Sequence, residues 1–310
     1  MTASKPFAPI HCATLALVAL LAACGGGGDT AADTTVSSET AQSVSANGMV
    51  ISEDAASASA ETLKTAQAVV AGAQASQTYA CAGGGTAVYS VSGSSGAALT
   101  NGQLDAGETY GLQFTACRGS AGAASLDGTM TLVVTAPSAG VVTVQTSTQG
   151  IVVVLPQRTL TLNGSSTLAQ TVTTNGATST MTNQWTSPQI TLTSLRNARA
   201  SSLTLTGVDF TRSVTTTGGV IGGSTGSGAL TIAATLPNGA WTAEIVTQGT
   251  VSYDTSGLPT QGNWQITLPH NRIGLELGAG VATITIDHGP DGTIDRTYTF
   301  GAGTLAAQAV

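Results

Sequence analysis

Gly128-Thr129-Met130-Thr131-Leu132-Val133-Val134-Thr135-Ala136-Pro137 decides the fold class. It is an apolar, partly alternating run rich in β-branched residues and closed by proline, which reads as a strand. It returns as Gly228-Ala229-Leu230-Thr231-Ile232-Ala233-Ala234-Thr235-Leu236-Pro237. Each copy continues through a small-residue turn and a second strand to Thr-Gln-Gly, at Thr148-Gln149-Gly150 and Thr247-Gln248-Gly249. Upstream, Phe114-Thr115 and Phe210-Thr211 hold comparable places. Two strand–turn–strand units of one kind predict one large sheet with similar halves near 110–200 and 201–305, or two similar packed sheets. The competing reading is that Thr- and Gly-rich strands resemble each other by composition.

Working outward, strand signals are nearly continuous. Thr86 to Val91 alternates, and Thr109 to Cys117 puts Tyr110, Leu112 and Phe114 on one face. Val141–Val144, Ile151–Leu155, Ile190–Leu192 and Leu203–Leu205 continue the pattern. Asn163-Gly164 and Asn175-Gly176 read as hairpin turns, because a type I′ turn needs φ > 0 at both central positions. Gly207 reads as a bulge and Gly218 to Gly228 as a flexible connector. Asn263 to Leu268 and Arg272 to Leu277 are strands, and Val281–Ile286 pairs with Thr293–Phe300 across an acidic Asp-Gly turn. The expectation is an all-β domain over 78–310: a large, mainly antiparallel twisted sheet, open barrel or sandwich.

Composition narrows the class. Charged residues make up 8% of the 310, against roughly 25% in ordinary soluble domains, and Gly, Ser and Thr fill the gap. That is the profile of an extracytoplasmic β-protein. Net charge is −7, Lys64 is the last lysine, and the later arginines are scattered, which excludes nucleic acid as a partner.

The N-terminus carries Lys5, an apolar run through Leu15, Leu17, Val18, Leu20 and Leu21, then Ala22-Ala23-Cys24. The run is too short to span a bilayer and suits a signal-peptide core. Leu21-Ala22-Ala23-Cys24 resembles the lipobox of bacterial lipoproteins. The resemblance implies a signal peptide over 1–23, acylation of Cys24 by diacylglycerol and palmitate-type chains, and attachment to a lipid bilayer. Gly25 after the cysteine, in place of an Asp, favours the outer membrane, facing the periplasm or the cell surface. Residues 24–77 read as the lipidated cysteine and a flexible, disordered tether: Gly25–Gly28, then six acids against one lysine among Ser, Thr and Ala. Within it, Ala55 to Ala75 has helix propensity, with Leu63, Val69 and Val70 as weak anchors.

With Cys12 removed and Cys24 acylated, Cys81 and Cys117 remain, an even pair in an oxidising compartment, and a disulfide is predicted. Cys81-Ala82-Gly83-Gly84, Asp105-Ala106-Gly107-Glu108, Phe114-Thr115-Ala116-Cys117 and Leu126-Asp127-Gly128 resemble a module of uncharacterised proteobacterial cell-envelope lipoproteins. The closing Asp-Gly hairpin is similar to the ends of the same group. The resemblance implies architecture and no activity.

Candidate chemistry is sparse. Asp287, Asp291 and Asp295 are spaced four apart with Gly292 after the middle one, a partial match to a Ca²⁺ loop. The alternative is a polar turn whose Asp side chains bond the backbone. Only His270 and His288 follow the signal segment, too few for zinc, and no G-x-S-x-G elbow is present. Asp105 with Glu108, or Asp209 with Glu244, could act as carboxylate pairs. Trp185, Trp241, Trp264, Tyr89, Tyr110, Tyr253 and Tyr298 are core anchors or a ligand face. The expected function is non-enzymatic: an envelope lipoprotein displaying a β-domain for a structural, adhesive or accessory binding role. Its partner would be a protein, a glycan or an apolar ligand. The alternatives are a carrier of an apolar ligand such as a lipid in a half-barrel cavity, and an envelope hydrolase.

Overall fold

In the computed structural model, the described residues are 35–72, 78–93, 101–138, 141–155, 158–196, 199–236, 239–255 and 257–309. Cys24 and the signal segment lie outside them. Helix α1 (Ser38–Gly72) comes first. Fifteen strands follow: β1 (Thr78–Ala80), β2 (Thr86–Ser92), β3 (Thr109–Cys117), β4 (Ser125–Ser138), β5 (Val141–Val154), β6 (Thr159–Asn175), β7 (Thr178–Arg196) and β8 (Arg199–Thr217). Next are β9 (Val220–Leu236), β10 (Gly239–Thr247), β11 (Val251–Tyr253), β12 (Pro259–Leu268), β13 (Asn271–Gly278), β14 (Val281–His288) and β15 (Arg296–Gly301), and the short α2 (Ala302–Ala306) closes the chain. The strands form one antiparallel sheet in sequence order, with β11 set aside to pair β9 and β12. Nearest-neighbour hairpins are what short turns between alternating strands produce.

The long strands β4 to β9 are interrupted at matching places. Ladder shifts fall at Asp127/Thr129, Thr148/Ile151, Ser165/Thr167 and Thr206/Asp209. Gly128, Gly150, Gly164 and Gly207 hold positive φ beside them, where a side chain would be strained. A bulge bends its strand and raises its twist, so a row of them curls the sheet. The freed amides are not left bare: Ala116 donates to Asp127 Oδ1 at 2.7 Å and Gly150 to Asn163 Oδ1 at 2.6 Å. The predicted bulge at Gly207 is present. Asn163-Gly164 is not a hairpin turn but part of this bulge row, its side chain spent on the neighbouring strand. Asn175-Gly176 does turn between β6 and β7. The expected connector from Gly218 shrinks to a two-residue turn, and β9 begins at Val220.

The repeated sequence occupies repeated structure. Phe114 on β3 faces Gly128 on β4, and Phe210 on β8 faces Gly228 on β9. A Cβ on Gly228 would lie 2.6 Å from the Phe210 ring, so a glycine is needed there.

The curled sheet holds α1, which corrects the tether expected over 24–77. From Ser38 to Gly72 the chain is a 35-residue helix, about 52 Å long. Eight consecutive positions, Val44 to Ile51, are buried. That run exceeds two turns, so every side of the helix is covered. Met49, Val50, Ile51, Leu63, Val69 and Val70 pack into the same core as Leu132, Ile151, Leu203, Ile232 and Ile284. The expected weak anchors Leu63 and Val69 are 1% and 0% exposed. The physical reason lies in side-chain size and back-bonding. Ala and Ser let a helix approach a sheet closely, and Thr62 and Asn47 donate to the Ala58 and Ser43 carbonyls one turn back. Part of a stretch that reads as polar is thereby satisfied within the helix, and part by the sheet. Asp54 meets Arg158 at 2.6 Å, Arg212 donates to Ser57, and the Val36 amide to Asn271. Arg196 at the end of β7 donates to the Ala306 and Ala309 carbonyls, tying down the C-terminal turn.

Candidate functional site

Strand alternation builds the candidate site. On β13, Asn271, Ile273, Leu275 and Leu277 point into the core, leaving Arg272, Gly274 and Glu276 on the outer face. Gly274 faces Gln265 on β12 and Thr285 on β14, and Glu276 faces Asn263 and Thr283. With no side chain at Gly274, the outer face sinks into a groove of about 430 Å³. A Cβ there would lie 2.6 Å from Thr285 Oγ1, so the depression belongs to the packing of the sheet. Gln248 extends one wall, and Ile294 of the β14–β15 connection overhangs, 52% exposed.

The aspartates of the Asp-Gly turn set that overhang. Asp287 accepts the Asp291 amide at 3.0 Å and the Gly292 amide at 3.1 Å. Asp291 accepts the Thr293 amide, which holds its carboxyl below the usual carboxylate range. Asp295 accepts the His288 amide at 2.7 Å. Each of the three expected calcium ligands thus serves the backbone, as in the polar-turn alternative. Among the described residues no group of three or more His, Cys, Asp or Glu side chains forms a metal site. Arg272 reaches Asp287 only at 3.9 Å and its side chain is 45% exposed, so guanidinium donors remain free for a ligand.

The other candidates are dispersed. Glu108 is buried beneath its own loop, accepting the Tyr110 hydroxyl at 2.6 Å and the Asp105 amide at 2.8 Å, and burial with this carboxylate pushes the Tyr110 phenol up. Asp209 and Glu244 sit on β8 and β10 with β9 between them. His288 Nδ1 lies 3.3 Å from the Asn271 amide oxygen, and His270 is exposed in the β12–β13 turn. Trp185, Trp264, Tyr89, Tyr110 and Tyr253 are buried and act as core anchors, with Arg212 stacked 4.9 Å from the Tyr253 ring centroid. Cys81 and Cys117 form the expected disulfide, Cα atoms 5.4 Å apart. Nothing among the described residues points to catalysis.

Sequence reasoning recognised the β13 strand but not the groove. The signal was legible in Arg272-Ile273-Gly274-Leu275-Glu276: a glycine in the outward register between two charged residues leaves a hole in the exposed face. Two similar grooves lie elsewhere on the sheet. One of about 410 Å³ centres on Gly111 and is lined by Gln113, Gln149, Thr131 and Ser147 without a charge. The other, about 560 Å³, carries Asp209 as its lone charge. No protein-family model matches the chain, and neither does any curated protein or solved structure.

Proposed function

We propose that this protein is a lipid-anchored outer-membrane lipoprotein that displays a non-enzymatic β-domain with a structural or accessory binding role. The observation that carries the reading over an apolar-ligand carrier is the filled interior. Helix α1 packs into the concave face of the sheet: the space between Thr62 and the strands around Ile151 and Leu168 is about 10 Å³, and the larger recess beside it, about 270 Å³, is lined by Glu61, Lys64, Arg212, Gln170 and Asn183, charged and amide groups that do not suit an apolar ligand. The first is room for about one water, and the second would set an acyl chain against charged and amide groups. The outer face, by contrast, is polar, grooved and sparsely charged, a surface suited to contacts outside the domain.

The anchor is tested at Cys24. The wild type takes up radiolabelled palmitate and stays with membranes through high-salt and carbonate washing; Cys24→Ser takes up none and becomes soluble, because a single buried chain binds only marginally and several are needed for a firm hold. A Cys24→Ser protein that remained membrane-bound through those washes would overturn the anchored reading.

A further inference from the structure

The groove over Gly274 has features that the other two lack. Arg272 and Glu276 stand at opposite ends of one strand face, four residues and therefore about 13 Å apart. Both are exposed, and among the described residues Glu276 has no ion-pair or hydrogen-bond partner. Between them the walls are amides and hydroxyls from Asn263, Gln265, Gln248, Thr283 and Thr285, groups that donate or accept at will. The floor is backbone at Gly274, and Ile294 adds one apolar contact from above.

We infer that this groove binds a short peptide with free termini, its amino group on Glu276 and its carboxylate on Arg272. Arg272 at one end, with the Asp287 carboxylate beside it, and Glu276 at the other, with neutral polar walls between, select a zwitterion of matching length, and 13 Å is about four residues of extended chain. Peptide groups both donate and accept, as the amide walls do. The flat floor admits a backbone, whereas a side chain at position 274 would lift it. The volume of about 430 Å³ falls in the range of small-ligand sites. Arg272 is held in place but not saturated by Asp287 at 3.9 Å, and the same Asp287 fixes the turn that carries Ile294. A purely anionic or cationic ligand would leave one end unmatched. The inference stands apart from the lipid anchor, since the groove belongs to the folded domain.

The test is calorimetric titration of the full chain in detergent with tetra-alanine, its N-acetyl form and its C-terminal amide. Free tetra-alanine binds; acetylation and amidation each weaken it about tenfold, the loss expected for one charge-assisted hydrogen bond. Glu276→Gln weakens the free peptide about tenfold and abolishes the penalty of acetylation, and Arg272→Gln does the same for amidation. Both positions are exposed, so the fold is kept. The inference is overturned by absence of heat with free tetra-alanine at millimolar concentration, by indifference to both caps, or by cap penalties that persist in the two variants.

Discussion

Leu63→Ala separates a structural helix from a tether more sharply than any other single change. Leu63 is 1% exposed and its neighbour Lys64 has a side chain 61% exposed, so adjacent residues of α1 sit on its most and least covered sides. Truncating a buried leucine removes its transfer free energy and leaves a cavity, together about 2–5 kcal/mol. The surroundings here are the small side chains of α1 on one side and a hydrogen-bonded sheet on the other. Neither collapses freely, and about 3 kcal/mol is expected. For a folded region of this size that lowers Tm by about 6–12 °C. Lys64→Ala should stay within about 0.5 kcal/mol of wild type. Urea and thermal unfolding followed by circular dichroism read both variants. Superimposable curves for wild type and Leu63→Ala would refute the placement of α1 in the core, as would loss of helical signal with the sheet transition unmoved.

Two further outcomes follow from the interior. Asp54→Asn leaves the Arg158 guanidinium buried without its partner and is expected to cost up to about 3 kcal/mol in urea unfolding, whereas Asp54→Leu with Arg158→Met should be neutral or stabilising, because desolvation offsets the attraction of a buried pair. Burial raises the Asp54 carboxyl above 3.8 in spite of Arg158, so the folded state holds that proton more tightly than the unfolded chain; its contribution to stability falls as pH rises through the window above 3.8, a slope that Asp54→Asn removes. Reducing the Cys81–Cys117 bond, which closes a 36-residue separation, is expected to lower stability by about 3–4 kcal/mol; equal midpoints for oxidised and reduced protein would contradict it.

What the sequence shows of this fold follows from how local each signal is. Alternation in β2, β3 and β12 to β14 depends only on which neighbours are apolar, and those strands stand as read. The Phe114–Gly128 and Phe210–Gly228 pairings were foreshadowed by the repeated motif, because a glycine opposite a large ring is a local requirement on both strands. Asn163-Gly164 misled because the same dipeptide serves a hairpin turn and a bulge, and only the partner strand tells them apart. The extent and burial of helix α1, of which only the propensity over Ala55–Ala75 was legible, were hidden for a different reason. Its Ala and Ser residues carry little hydrophobicity individually, and their burial depends on a sheet formed entirely by later sequence. The groove was hidden likewise: Gly274 marks it, but its walls come from β12, β14 and the turn that Asp287 holds.

The position of α1 also changes what an anchor at Cys24 would do. A tether over residues 25–77 would have 53 residues and, fully extended, could carry the domain about 185 Å from the bilayer. With the folded domain beginning at Ser38, only 13 residues separate it from Cys24, and the greatest reach is about 45 Å. Over Val44–Ile51 this first described helix is wholly buried, so a pull on it acts on the core rather than on a loose arm. Val36, two residues before α1, bonds Asn271 of β13, and Asp54, midway along α1, pairs with Arg158 just before β6. Because β13 also floors the Gly274 groove, the strand that receives the Val36 amide is the one that presents the charged trough.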